Sequence, residues 1–266
     1  YYIPINNNQE YPEKLIKYYN KNKKPSNYLC NKLFNKYIDS IKSNNNILNR
    51  HNNLRINQKK INFLNVLRFF KFLIFDTTKK HYLSPTRYQR VLKNIEFKYN
   101  QFNIKKYFKN SIPKSKYIYF PLSTIPEASL LIRGNDYYDQ LSFIKSLSLK
   151  LPVDYKILIK DHPGMAGVTP KRFYRELNKI YNVHLVDTYL SSYECIKNSE
   201  AVIAISGTTG MQSWALGKKT IVLGKAVYFY VKTIFKPKNL NEISNILELN
   251  WSKNLIKKQK MDFIKY

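Results

Sequence analysis

From residue 116 onward the chain alternates short apolar runs with amphipathic ones, and that alternation leaves very few architectures open. The runs KYIYFPL (116–122), YKILIK (155–160), VHLVD (183–187), AVIAIS (201–206) and TIVLG (220–224) read as strands. Between them DYYDQLSFIKSLSLKL (136–151), PKRFYRELNKIY (170–181), SSYECIKNSE (191–200) and TGMQSWALG (209–217) read as helices, the second opened by Thr169 and Pro170. Strands without polar alternation, each followed by a helix, predict an α/β fold with a Rossmann-like parallel sheet covered on both faces. In such a sheet ligands lie beyond the carboxyl ends of the strands. The residues just past each strand are therefore the ones to read for chemistry.

Three of those ends stand out: STIPEASLLIRG after the first strand, KDHPGMAG after the second and SGTTG after the fourth. All three are expected to face one crevice. In SGTTG a strand turns through Gly207 into a helix starting near Thr208, which offers backbone N–H groups, hydroxyls and the positive end of a helix dipole to an anion. The competing reading is that Ser206 or Thr208 only caps the helix. No G-x-G-x-x-G is present, and six residues rather than four separate Gly210 from Gly217, so neither a dinucleotide fingerprint nor a P-loop applies. His162 is placed to donate to a phosphate oxygen, with Pro163 fixing the backbone and Gly164 allowing close approach; an ordinary polar turn is the alternative.

Residues 1–112 have a different texture. EKLIKYYNKN, NYLCNKLFNKYIDSIKS, INFLNVLRFFKFLIF and RYQRVLKNIEFKYNQF read as Lys- and Tyr-rich helices separated by polar breaks, with no catalytic signature. The organisation expected is a mainly helical region over 1–112, a Rossmann-like domain over 113–248 and a basic tail or helix over 249–266.

The formal charge of +29 invites a nucleic-acid reading. Yet Lys, Asn, Ile, Tyr and Phe share A/T-rich codons, so a base-composition bias accounts for the same excess through a solvated surface. The lysines run along the whole chain and no nucleic-acid module is recognisable, so no specific nucleic acid is expected as partner. Attraction to anionic headgroups or an acidic polymer remains open. The longest apolar stretch, residues 61–75, is broken by Asn65, Arg68 and Lys71 and does not read as a membrane span. Cys30 and Cys195 are too few for a disulfide framework, which suits a reducing cytoplasm. A chain opening at Tyr1 without a leader reads as a processed product or a fragment, the fragment being favoured.

Taken together, KYIYFPLSTIPEAS, LPVDYKILIKDHP and NVHLVDTYLSSYECIKNSEAVIAISGTTGMQSWALGKKTIVLGKAVYF resemble the donor-nucleotide domain of the bacterial capsular polysaccharide biosynthesis family, over roughly residues 116–230. That family includes Kdo transferases, and its His-Pro and Ser/Thr motifs are similar to those of bacterial sialyl- and polysialyltransferases. The resemblance implies a GT-B glycosyltransferase of surface-polysaccharide assembly. It would use a nucleotide-sugar, a CMP-sugar carrying a Kdo- or sialic-acid-like unit, as co-substrate, with no cofactor and no metal. It implies donor-phosphate contacts from His162 and Pro163 and from Ser206, Gly207, Thr208 and Thr209. Glu127, in Pro-Glu-Ala-Ser, and Asp161 are the candidate catalytic carboxylates. Gln212 stands where relatives commonly carry a Glu that holds the ribose; an amide there binds more weakly than a carboxylate.

The partners implied are a lipid-linked or oligosaccharide acceptor, the inner face of the cytoplasmic membrane, and other capsule assembly or export proteins. The alternatives are a CDP-glycerol-type glycerophosphotransferase, a basic nucleic-acid-binding protein, and an inactive fragment. His184 reads as a core or edge histidine, Met165 and Trp214 as core or lid contacts, and Tyr228 as packing or as part of the donor pocket.

Overall fold

The computed structural model describes residues 27–43, 87–126 and 128–265. Among the described residues, the helices α1 (Asn27–Ser43) and α2 (Arg87–Ile104) precede β1 (Tyr117–Pro121). The chain continues through α3 (Ala128–Arg133), α4 (Gln140–Lys150), β2 (Lys156–Lys160), α5 (Lys171–Asn178), β3 (Val183–Val186), α6 (Ser192–Lys197), β4 (Ala201–Ala204), α7 (Thr208–Ala215) and β5 (Lys219–Val222). It closes with α8 (Leu240–Glu248) and α9 (Lys253–Lys265). The expected helices over 13–22 and 61–75 lie outside the described residues.

The five strands form one parallel sheet in the order β3-β2-β1-β4-β5. Their residues are buried nearly throughout because successive side chains feed two separate cores. Ile118, Phe120, Ile157, Ile159, Leu185 and Ile203 face α4, α5 and α8. Tyr117, Tyr119, Leu158, Val186 and Val202 face Cys195 and Ile196 of α6. Each such apolar side chain contributes about 1.5–3 kcal/mol when fully removed from water. Trp214 of α7, fully buried, anchors a third cluster with Val222, Ala226, Tyr228 and Ile234.

Several local expectations change. The helix read over 136–151 begins only at Gln140, because the Asp139 carboxylate accepts the Ser142 amide at 3.1 Å and the Ser142 hydroxyl at 2.6 Å. A short 3-10 turn, Asn135–Tyr137, fills the preceding residues. Helices α3 and α8 were not apparent from periodicity, α3 being six residues long. His184 is a half-edge core residue whose Nε2–H donates to the Ser111 carbonyl at 2.7 Å, and burial lowers its pKa.

The N-terminal region is joined to the sheet. Lys109 donates its amide to Leu185 O at 2.8 Å and accepts from the Asp187 amide at 3.0 Å, extending the β3 edge by one bridge. Helix α2 packs on α5, and its Asn100 Nδ2 donates to Gly167 O in the loop after β2 at 3.3 Å. At Gly167, with φ at +106°, a Cβ would lie 2.8 Å from the Phe97 carbonyl, so only glycine admits α2 this closely. Helix α1 packs on α9.

Candidate functional site

The strand order decides which loops meet. β2, β1 and β4 are consecutive neighbours, so the three unusual segments of the sequence leave one continuous stretch of the sheet's carboxyl edge. Between β1 and β4 the chain direction of winding reverses, and such a switch point leaves a crevice above the strand ends.

At the β2 exit, Asp161 is 2% exposed and holds the turn that follows. Its Oδ1 accepts the His162 amide at 2.7 Å, while Oδ2 accepts the Tyr174 hydroxyl at 2.6 Å and the Thr169 hydroxyl at 3.3 Å. Burial raises the Asp161 pKa and these donors oppose the shift. With both oxygens engaged, this carboxylate is placed to orient the turn. His162 itself is exposed, and its Nδ1 accepts the Gly164 amide at 3.1 Å. A neutral imidazole in that arrangement carries its proton on Nε2, which becomes the donor available to a ligand. A Cβ on Gly164 would press on Nδ1 at 3.2 Å, so the glycine preserves this contact. Pro163 is half-buried beside it.

At the β4 exit, Gly207 is the N-cap of α7 and has no side chain with which to cap it. The N-cap position thus falls on Gly207, between the two residues that the capping reading had singled out. Thr208 is exposed, Ser206 and Thr209 are half-buried, and Gln212 is half-buried one turn further along.

At the β1 exit, Glu127 lies outside the described residues. The loop leading to it is fixed by Gln140, a buried side chain whose Oε1 accepts the Ser123 amide at 2.8 Å and whose Nε2 donates to the Ser123 carbonyl at 3.0 Å. Sequence reading missed Gln140; a Gln at the first position of an apolar helix was the available signal. It also passed over Arg133 and Lys225. Both are exposed, and the Lys225 amide donates to Arg133 O at 2.9 Å, so two cations flank the β5 side of the rim.

Beyond β3 lies a cleft of about 360 Å³ between the N-terminal region and the sheet, lined by Gln101, Phe108, Asn110, Asp187, Thr188 and Tyr189 among others. Asp187 Oδ1 accepts the Tyr189 amide at 2.8 Å, which shapes this loop. Deeper, Lys160 is 7% exposed and donates to Ser192 Oγ at 3.2 Å, its pKa lowered by burial. Among the described residues no group of three or more His, Cys, Asp or Glu side chains is placed to hold a metal ion. No helix among them is long and apolar enough to cross a membrane.

A parallel sheet whose switch strand is flanked by a helix start at Gly207 on one side and a histidine turn on the other defines a Rossmann-like domain. The family is more specific: the model of the capsule polysaccharide biosynthesis proteins matches residues 16–232, and the chain belongs to that family. No curated protein sequence matches the chain. Among solved structures, it is similar to the Thermosulfurimonas dismutans KpsC beta Kdo 2,4 transferase at 14% identity and a TM-score of 0.38, covering 69% of this chain and 56% of that one. The beta Kdo 2,7 transferase of the same KpsC is similar at 18% identity and a TM-score of 0.39, covering 70% and 59%. The wall teichoic acid polymerase TagF is similar at 13% identity and a TM-score of 0.35, covering 65% and 43%. The chain thus spans less than two-thirds of the length of each.

Proposed function

We propose that this chain is the donor-binding part of a GT-B glycosyltransferase of capsular or surface polysaccharide assembly, transferring a Kdo- or sialic-acid-like sugar from its CMP conjugate to a lipid-linked or glycan acceptor. The observation that carries the reading is the placement of His162 and of the α7 start at Gly207 on the strands that flank β1, in a chain of the capsule family.

On this reading the donor phosphate lies between the His162 Nε2–H and the Thr208 and Thr209 amides. Departure of CMP leaves negative charge on that phosphate, and preorganised donors stabilise it as it develops. Asp161 holds the histidine turn, and Glu127 is the candidate base that takes the proton from the acceptor hydroxyl. Pro163, Ser206 and Gly207 shape the two turns. The nucleoside has two candidate holders. Gln212 is the position suggested by the family pattern, and the β3 cleft is favoured by its volume of about 360 Å³ and by the Asp187 carboxylate, which can accept from a cytosine amine. No metal or cofactor takes part in the proposed transfer. The enzyme works at the inner face of the cytoplasmic membrane, where its basic surface meets anionic headgroups.

Incubating the chain with CMP-Kdo or CMP-sialic acid and following CMP release, with and without an oligosaccharide acceptor, tests the activity. CMP release that is unchanged by EDTA and lost in His162→Ala is the expected result. Turnover of CDP-glycerol but of neither CMP-sugar would replace this reading with the glycerophosphotransferase.

A further inference from the structure

We propose that Tyr228 is a positioning residue of the phosphate-binding turn, holding the Gly207–Thr208 peptide so that the Thr208 amide points into the crevice; this rests on the donor reading above. Tyr228 belongs to the 3-10 turn Val227–Tyr230 that follows β5. The chain is brought there by two backbone bonds across the rim, from the Gly224 amide to Ile205 O at 2.8 Å and from the Lys225 amide to Arg133 O at 2.9 Å. From that position the tyrosine, only 4% exposed, donates its hydroxyl to the Gly207 carbonyl.

The Gly207 carbonyl also accepts the Gly210 amide at 3.2 Å, so it has two donors for its two lone pairs. A trans peptide is planar, with its C=O and N–H pointing in opposite directions. Fixing the Gly207 carbonyl from the buried side therefore turns the Thr208 N–H outward, toward solvent. No described residue accepts a hydrogen bond from that amide. Donation to the carbonyl also polarises the peptide unit and makes its N–H a stronger donor. Burial raises the Tyr228 pKa, so the phenol stays protonated and keeps its donor role across the physiological range.

The sequence carries the mark of this arrangement at Gly210. A Cβ there would run into the Tyr228 hydroxyl, and would lie 3.0 Å from the adjoining ring carbon and 3.1 Å from the Ala204 Cβ. The second glycine of SGTTG is buried and admits the tyrosine from below. By contrast, Gly207 has open space around it on the side a Cβ would take.

The test is calorimetric titration of CMP and of cytidine into wild-type chain and Tyr228→Phe, with thermal melts of both. The variant removes one oxygen and keeps the ring. We expect CMP to bind about three- to tenfold more weakly in Tyr228→Phe, the scale of one lost hydrogen bond, with cytidine affinity unchanged. Equal weakening of CMP and cytidine would make Tyr228 a general support of the fold and overturn the proposal. Unchanged CMP affinity would overturn it while leaving the donor reading intact. A folded wild-type chain that binds no CMP would remove both. If Tyr228→Phe does not fold, Gly210→Ala, which displaces the hydroxyl, takes its place under the same criteria.

Discussion

The Tyr174 hydroxyl lies 2.6 Å from Oδ2 of Asp161, and the other oxygen of that buried carboxylate holds the amide of His162. Helix α5 thereby reaches through one carboxylate to the turn that presents the histidine. Hydrogen bonds to charged groups contribute about 1.5–3 kcal/mol, so Tyr174→Phe should destabilise the fold by roughly 2 kcal/mol in urea titration. CMP affinity should fall as well, since the His162 turn loses one of its supports. A Tyr174→Phe chain with wild-type stability would show that Asp161 is held by other means.

His184 gives the fold an acid-side sensitivity. Burial is the main cause of its lowered pKa, with Lys109 and Lys156 adding to the effect and the bond to Ser111 O opposing it. A histidine whose folded pKa is depressed contributes stability that is complete above its unfolded pKa, about 6.5, and is lost as pH falls toward the folded value. The melting temperature should decline between pH 7 and pH 5.5, and His184→Gln should flatten that decline. An identical pH profile in the variant would assign the acid sensitivity to other groups.

The two candidate nucleoside holders separate by mutation. If the cleft beyond β3 takes the base, Asp187→Ala should weaken CMP binding about tenfold or more and erase any preference for cytidine over uridine nucleotides, in line with about 1–3 kcal/mol for a base-edge contact. Gln212→Ala should then have a smaller effect. The reverse pattern would put the ribose over α7, as the family pattern suggests.

Gly224 is where the β5 exit crosses the rim. A Cβ there would lie 2.6 Å from the Arg133 carbonyl and 2.9 Å from the Ile205 carbonyl, both backbone atoms that cannot swing away. Gly224→Ala should cost about 1–3 kcal/mol, as overpacking does, and should displace the Lys225–Arg133 link. A melt within error of wild type would mean that the rim relaxes freely.

Much of the sheet was legible because Ile157, Leu158 and Ile159, or Ala201 to Ala204, are apolar on both alternating sets, a pattern only a sheet covered on two faces requires. The convergence of Pro126, His162 and Gly207 followed from the same logic, since β2, β1 and β4 turned out to be neighbours. What was hidden depends on distant partners. Gln140 was unremarkable until its amide met Ser123, and Gly210 entered only through its spacing from Gly217 until Tyr228, eighteen residues on, was seen beneath it. Asp161 read as a possible acid or base because its type allows that chemistry. Its three donors come from His162, Thr169 and Tyr174, and only the folded chain brings the last two to it.

The central claim is that a nucleotide phosphate binds between His162 and the start of α7. Its most direct measurement is calorimetric titration of CMP, CDP and UDP into the full chain, His162→Ala and Ser206→Ala, at two salt concentrations. The account predicts saturable cytidine-nucleotide binding, weakened in both variants and only mildly salt-dependent. A folded wild-type chain that binds none of the three nucleotides, or that instead binds DNA or RNA with an affinity collapsing steeply as salt rises, would contradict it.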